Sequence, residues 1–303
     1  MKKILVLGSL NIDLVQRVPR LPQPGETLPA GELHLFPGGK GANQACAAAL
    51  LGGDARMAGC VGNDAFAETL LGALRQSGVN TTLVRQADTS TGTAVIFVLP
   101  NGENVIVIAS AANGAVSTAA AIEAVDVLEA GDFLLCQLEI PLHSVQTALR
   151  AAHERHVVTI LDPAPACTLP DKLLSFVSIL TPNQVEAGFL AGSSTPRDSA
   201  EAAACAQTLR RRGAATVIVK MGEQGCLIAD ESGTAETPGL RVEVRDTTAA
   251  GDTFNGALAV AMAEGAALRK AARFANGAAA LSVTKPGAIS SIPTRDAVDR
   301  FLA

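Results

Sequence analysis

Asp246-Thr247-Thr248-Ala249-Ala250-Gly251-Asp252-Thr253-Phe254-Asn255-Gly256 packs two carboxylates, three hydroxyls and two glycines into eleven residues. The alternating run Leu240-Arg241-Val242-Glu243-Val244 stands before it and reads as a strand. An alanine-rich helical pattern follows from about Ala257 to Ala263. The local order is therefore strand, tight polar turn, helix. Small residues in such a turn let the backbone come close to a ligand. The unpaired N–H groups of a helix start carry partial positive charge and suit an anion. Asp252 would then stand at the mouth of an anion site, an odd place for a carboxylate unless it takes up a proton during chemistry. The plainer alternative is that Asp252 only caps the helix, a role Asp favours. For the stretch alone the plainer reading is preferred, and the rest of the chain has to decide.

Working outward, strands and helices alternate along the chain. Ile4–Gly8 is a continuous apolar run of the kind that forms a strand buried on both faces. After Met1-Lys2-Lys3 it is too short for the core of a secretory signal. Strands are also expected at Arg56–Val61, Phe133–Gln137, Val157–Leu161, Phe176–Leu180, Thr216–Lys220 and Cys226–Ala229. Helices are expected at Ala45–Leu51, Phe66–Gln76, Ala119–Glu129, Leu142–Glu154, Gln184–Ala191, Ser199–Arg212, Phe254–Ala263, Ala266–Leu281 and Arg295–Leu302. The alternation implies a mostly parallel sheet covered by helices on both faces. Two segments differ. Prolines and a glycine make Leu14–Pro37 turns and edge-type strands, and Thr93–Leu99 and Asn104–Ile108 flank an Asn-Gly hairpin turn. They are expected to meet as a small sheet standing off the main body.

Composition excludes several functions. The 303 residues are 48% apolar, enough for a sizeable core. There is no Trp and no Tyr, and the net charge is -5. Both disfavour a nucleic-acid partner. No stretch is long and apolar enough to span a bilayer. The six cysteines are scattered, without metal spacing, and fit small buried hydrophobes in a reducing compartment, hence the cytoplasm.

In open α/β sheets, ligands bind at the carboxyl ends of the strands. Polar residues collect there: Asn11 and Asp13 after the first strand, then Glu139, Asp162, Thr181, Asn183 and Glu186, the loop Met221–Gly225, and finally Asp246 and Asp252. Each has a bland reading as a cap or solvated turn residue, but a shared edge is harder to explain that way. Gly38-Gly39-Lys40-Gly41 is a second glycine turn, opening the helix at Ala45. It is no phosphate loop, because Lys40 is not followed by Ser or Thr and the glycines are too close. The dinucleotide fingerprint expected of an NAD-dependent oxidoreductase is also missing after the first strand.

Over nearly its whole length the chain resembles the ribokinase-like, or PfkB, family of sugar kinases. The resemblance rests on Gly8-Ser9-Leu10-Asn11-Ile12-Asp13, Gly38-Gly39-Lys40-Gly41-Ala42-Asn43-Gln44-Ala45, Thr181-Pro182-Asn183-Gln184-Val185-Glu186, Asp246 to Gly256, Ala275-Asn276, and Ser282 to Pro293. It implies a three-layer α/β/α fold with a mostly parallel central sheet. It also implies one kinase unit over 1–303, with a small β lid from about 14–37 and 92–109 that pairs two subunits in a homodimer. The activity implied is ATP-dependent phosphorylation of D-ribose at O5. By resemblance, Asn11, Asp13, Gly39, Lys40, Gly41, Ala42, Asn43 and Glu139 line the sugar pocket. Asp252 is the general base, and the N–H groups of Ala249, Ala250, Gly251 and Asp252 form the anion hole. Asn183, Lys220, Met221, Gly222, Glu223, Gln224, Gly225, Gly251, Asp252 and Asn276 are similar to nucleotide-contacting positions. Glu186 matches a residue that places Mg²⁺, through water. Asp246, Thr248, Ser282, Lys285, Gly287 and Ser291 match a K⁺ site built mostly from backbone oxygens. Lys220-Met221-Gly222 and Gln184 depart from the commoner family residues.

The rival expectations are a sister kinase acting on 2-deoxyribose or another pentose, hexose or nucleoside, and a sugar-binding regulator without catalysis. Asp252, Gly251 and Asn183 are all present, which disfavours the regulator. In this reading Asp252 serves as cap and base at once.

Overall fold

The structure is a computed structural model and describes residues 2–101 and 103–303. Gly102, in the expected hairpin turn, lies outside the described residues. The strands, in chain order, are β1 (Lys3–Leu7), β2 (Asn11–Arg17), β3 (Leu33–Gly38), β4 (Asp54–Val61), β5 (Asn80–Gln86), β6 (Gly92–Val98), β7 (Asn104–Ala109), β8 (Phe133–Cys136), β9 (Val158–Leu161), β10 (Ile179–Leu180), β11 (Thr216–Lys220), β12 (Gly225–Asp230) and β13 (Gly233–Pro238).

β1 shows why the large sheet is central. Ile4 and Val6 belong to one apolar cluster, with residues of the helices Lys40–Leu50, Ala250–Ala263 and Leu268–Ser282. Leu5 and Leu7 belong to another, with residues of Thr118–Asp126, Leu142–Glu154 and Ser199–Arg211. Successive side chains of a strand point to opposite faces, so a strand covered on both needs an unbroken apolar run. Nine strands run in the order β13-β12-β11-β10-β9-β8-β1-β4-β5. All neighbours from β11 to β5 are parallel, and β12 and β13 add an antiparallel hairpin at one edge. This is the expected three-layer α/β/α fold.

The second sheet has the order β3-β2-β6-β7 and uses both segments that stood out in the sequence. β6 and β7 pair antiparallel as foreseen, with Val98 opposite Asn104. β2 begins at Asn11 rather than Leu14, because Asn11 and Ile12 already pair with β3 and β6. Asn11 and Asp13 are thus residues of the small sheet, where it leaves the main body.

Three expectations need correction. Leu240–Val244 is not a strand. It finds no partner, and Val244 is exposed. The true edge strand is β13, whose polar Gly233–Pro238 sequence lacks apolar alternation. β5, another edge strand, was missed for the same half-exposed character. Finally, Gly38–Gln44 is largely helix rather than turn, since the helix begins at Lys40. It packs so tightly on the β1–β2 junction that a Cβ at Gly41 would lie 2.7 Å from the backbone of Gly8 and Ser9.

Candidate active site

The helix Ala250–Ala263 starts after Ala249, which takes a left-handed conformation at φ 57°. Asp252 therefore lies in the first helical turn and is not the cap, which corrects the reading of one residue filling both roles. Ala249 holds the cap position and has no side-chain oxygen to offer. The N–H of Ala250 reaches the Thr247 carbonyl at 3.3 Å. Those of Gly251 and Asp252 meet no acceptor among the described residues. Such open donors at a helix start suit an anion.

Asp252 is only 5% exposed. Its Oδ2 accepts from Asn43 Nδ2 at 3.0 Å and its Oδ1 from Gln44 Nε2 at 3.1 Å. Burial pushes the carboxyl above its ordinary range; the Lys40 ammonium and these two amides oppose the shift, and the Asp162 carboxylate adds to it. A buried carboxylate with raised proton affinity can accept a proton near neutrality. Burial would lower the Lys40 ammonium, but the carboxylates of Asp252, Asp162, Glu139 and Glu186 hold it above its usual range.

On the small-sheet side, Asn11 and Glu139 border an open cavity of about 410 Å³, also lined by Ile108 and Ser110 of the second sheet and its following turn. The volume suits a small ligand. Asp13 does not line this cavity, nor does Asp252. Burial and the nearby carboxylates of Glu139 and Asp252 push Asp13 up to about 7. Glu139 accepts hydrogen bonds from Ser9 Oγ and from the Lys40 N–H, which fixes it against the start of the Lys40–Leu50 helix. Gly39, Gly41 and Ala42 are buried in the same junction.

On the opposite side, Asn183 and Glu186 form a reciprocal capping box at the start of the Gln184–Ala191 helix. Asn183 Oδ1 accepts from the Glu186 N–H at 2.9 Å, and Glu186 Oε2 from the Asn183 N–H at 2.8 Å. Burial and Asp162 raise the Glu186 carboxyl. Among the described residues no cluster of His, Cys, Asp or Glu forms a protein-only metal cage. Both Glu186 oxygens already accept from Asn183, Oε1 from Nδ2 at 2.9 Å and Oε2 from the N–H, an arrangement that fits contact with a cation through its water shell. Lys220 ends β11, and Met221 leads into a short turn, Gly222–Gln224, before Gly225 opens β12. Asn276 donates to the Thr237 and Pro238 carbonyls from the neighbouring helix, bringing it to this loop's edge.

The six residues of the expected K⁺ site come from two loops tied together. Asp246 Oδ1 accepts from the N–H and hydroxyl of Thr248, and Oδ2 from the Gly287 N–H at 2.8 Å. The N–H groups of Arg245 and Asp246 both reach the Val283 carbonyl. Burial would raise the Asp246 carboxyl, but these hydrogen bonds hold it below its usual range. Ser282 and Ser291 are buried, and Lys285 sits between them in the chain. The carbonyls of Thr248 and Lys285 accept no hydrogen bond among the described residues, so they fit the donor set of a weakly hydrated monovalent cation.

Four residues of this network were not singled out as site residues. Gln44 Nε2 donates to Asp162 Oδ2 at 3.0 Å as well as to Asp252. Gln137 Nε2 donates to Gln44 Oε1 at 2.7 Å, which fixes which end of the Gln44 amide faces the acids. Asp162 Oδ1 accepts from Lys220 Nζ at 2.8 Å. Asn113 Nδ2 donates to Asn11 Oδ1 at 2.7 Å. Asp162 carried a signal, as a carboxylate just past a strand. Asn113, within an alanine-rich turn, carried none.

Comparisons with known proteins bear on the family of the chain. The pattern described as pfkB family carbohydrate kinase matches residues 1–295. The chain is 41% identical over 302 residues to a ribokinase of Haemophilus influenzae, covering 99% of this chain and 98% of the relative. It is 35% identical over 309 residues to a deoxyribokinase of Salmonella typhi, covering 99% and 98%. Among solved structures, the Arabidopsis thaliana ribokinase complexed with ribose and ATP superposes with a TM-score of 0.93 at 33% identity, covering 99% of this chain and 98% of that one.

Proposed function

The chain belongs to the pfkB family of carbohydrate kinases, and on that premise we propose that it transfers the γ-phosphoryl group of ATP to O5 of D-ribose, giving D-ribose 5-phosphate and ADP. The observation that carries the reading is the placement of Asp252. It lies in the first turn of a helix with open N–H donors, buried, and held by two amides from the helix Lys40–Leu50.

In the reaction, the sugar's primary hydroxyl attacks the γ-phosphorus as Asp252 accepts its proton, and the bond from that phosphorus to the β-phosphate oxygen breaks. Such transfer depends mainly on positioning and on stabilising charge. The N–H groups of Gly251 and Asp252, with those of Ala249 and Ala250 at the same turn, receive the charge on the phosphoryl oxygens. Asn11, Asp13, Asn43 and Glu139, with the backbone of Gly39 to Ala42, bind the sugar hydroxyls, since short carboxylates and amides accept and donate at several positions. Asn183, the loop Lys220–Gly225 and Asn276 hold the nucleotide. Glu186 would place Mg²⁺ through water, and that ion would neutralise phosphate charge; Asp246, Thr248, Ser282, Lys285, Gly287 and Ser291 would hold K⁺, which would add positive charge to the site. The described residues contain no helix long and apolar enough to cross a membrane. With six unpaired cysteines, that suits a cytoplasmic enzyme. The exposed Leu33, Leu35, Ile106 and Val107 support the small sheet as the homodimer contact.

The rival acceptor is 2-deoxyribose, kept open by the deoxyribokinase relative. A site that hydrogen-bonds a hydroxyl rejects the analogue lacking it by a large factor. Turnover is therefore measured on ribose, 2-deoxyribose, fructose and a nucleoside at fixed ATP. Ribose should have the highest kcat/KM, and parity with 2-deoxyribose or fructose would sink the assignment.

A further inference from the structure

The Lys220 side chain is mostly buried, with 13% of its surface exposed. Its Nζ donates to Asp162 Oδ1 at 2.8 Å. That contact uses one of three N–H donors, and the other two meet no acceptor among the described residues. The ammonium lies against the start of the Ala250–Ala263 helix: a Cβ built on Gly251 would come within 3.3 Å of it. It thus borders the turn where the N–H groups of Gly251 and Asp252 are open. Asp162 cannot swing away, because its Oδ2 is held by Gln44 at 3.0 Å. Gln44 in turn donates to the Asp252 carboxylate. Base and ammonium therefore hang on one scaffold, with their separation set before any substrate arrives.

Taking an ion pair out of water is costly unless both charges are well partnered. Here Asp162 has two partners, and Lys220 has one partner and two spare donors. That imbalance beside an open anion site suits a lysine awaiting an oxyanion. A compact ammonium binds phosphate as a point charge.

We propose that Lys220 is a catalytic residue, its ammonium contacting the γ-phosphoryl group in transit, with Asp162 as the positioning residue that holds it there. The inference rests on the phosphoryl-transfer reading above. During transfer the bond from sugar O5 to phosphorus forms, the bond from phosphorus to the β-phosphate oxygen breaks, and the hydroxyl proton goes to Asp252. Lys220 keeps its protons and stabilises the charge on the phosphoryl oxygens.

Lys220→Met, and Lys220→Met combined with Asp162→Asn, are compared with wild type. The double variant leaves no unpaired buried carboxylate, so it carries the test if the single variant fails to fold. Binding of ATP, ADP and ribose is measured by calorimetry, alongside turnover at saturating substrates. Removing one preorganised donor to a transition-state anion costs about 100-fold in kcat, and a loss of that order is expected. ATP should weaken about tenfold relative to ADP, with ribose affinity unchanged. A double variant with wild-type kcat, or equal weakening of ATP and ADP, would overturn the role. Should wild type phosphorylate no sugar, the kinase reading fails, and the ATP-to-ADP ratio still tests Lys220.

Discussion

Asn43 and Asp252 stand 209 residues apart in the chain and are joined by a hydrogen bond of 3.0 Å from Asn43 Nδ2 to Asp252 Oδ2. The contact exists because two small-residue helices pack closely. A Cβ on Gly256 would lie 2.6 Å from Ala47 Cβ, so only glycine lets the helix of Asp252 approach the helix of Asn43 this far. Asp252→Asn keeps the shape of the site and removes the proton acceptor. General-base catalysis contributes about 10²–10⁴-fold, so kcat should fall by that order while calorimetry shows ribose still binding. Wild-type turnover in this variant would remove Asp252 from the chemistry, and loss of sugar binding alone would make it a pocket residue.

Gln44 offers a sharper test through pH. Burial raises the Asp252 carboxyl, and the Gln44 hydrogen bond holds it down. In Gln44→Met the brake is gone, so Asp252 should stay protonated to a higher pH. The acidic limb of the kcat profile then moves upward, with much of the rate recovered on the alkaline side. An unmoved limb would mean that Gln44 does not set the proton affinity of Asp252.

These residues also show what could be read from the chain. Asn11, Glu139, Asp162 and Asn183 all follow parallel strands, and the rule that such ends form the site brings them together from the sequence alone, whereas Lys220 enters only through the family resemblance. β1 was legible because burial on both faces demands an unbroken apolar run. β13 and Leu240–Val244 exchanged roles: an edge strand needs only a hydrogen-bonding neighbour, and apolar alternation without one leaves Val244 in solvent. Asn113 and Gln137 were illegible as site residues, since their task is to orient another amide, and such a task leaves no local pattern.

Asn113 therefore has its own prediction. Its Oδ1 accepts from the Leu10 N–H at 2.8 Å, and its Nδ2 donates to the Leu10 carbonyl and to Asn11 Oδ1. With its oxygen engaged, Asn11 has its NH₂ left to offer the cavity. Asn113→Ala strands a buried N–H and frees the Asn11 amide to turn. Leaving a buried polar group unpaired costs about 1–3 kcal/mol, to be read by denaturant unfolding. The KM for sugar should rise more than kcat falls. A variant as stable as wild type with unchanged KM would show that Asn113 orients nothing.

Asp13 predicts a pH-dependent stability. Burial and the carboxylates of Glu139 and Asp252 push its folded carboxyl up to about 7, from an ordinary value of 3.8. Between those values the folded state binds the proton that the unfolded state has released, so stability falls as pH rises through this window. The full penalty is present above about pH 7, and none of it below about pH 4. Asp13→Asn should therefore raise Tm of the sugar-free protein at pH 8 and leave it unchanged at pH 4. Equal effects at both would place the origin elsewhere.

The cation loops give the last test. Asp246 takes an N–H and a hydroxyl from Thr248 on one oxygen and the Gly287 N–H on the other. Its carboxylate thereby holds together the two loops whose carbonyls are proposed to take K⁺, one of which runs directly into the helix start at Ala250. A cation there would act on turnover through the turn proposed to receive the phosphoryl oxygens. Turnover should be faster in KCl than in NaCl or choline chloride at equal ionic strength, since a carbonyl site of this kind discriminates by size and hydration, whereas general screening does not. Asp246→Ala unties the loops and should lower turnover in KCl towards the level in choline chloride, leaving little preference among the three salts. Equal rates for wild type in all three would count against the site, and an Asp246→Ala variant that keeps the K⁺ preference would place the cation elsewhere.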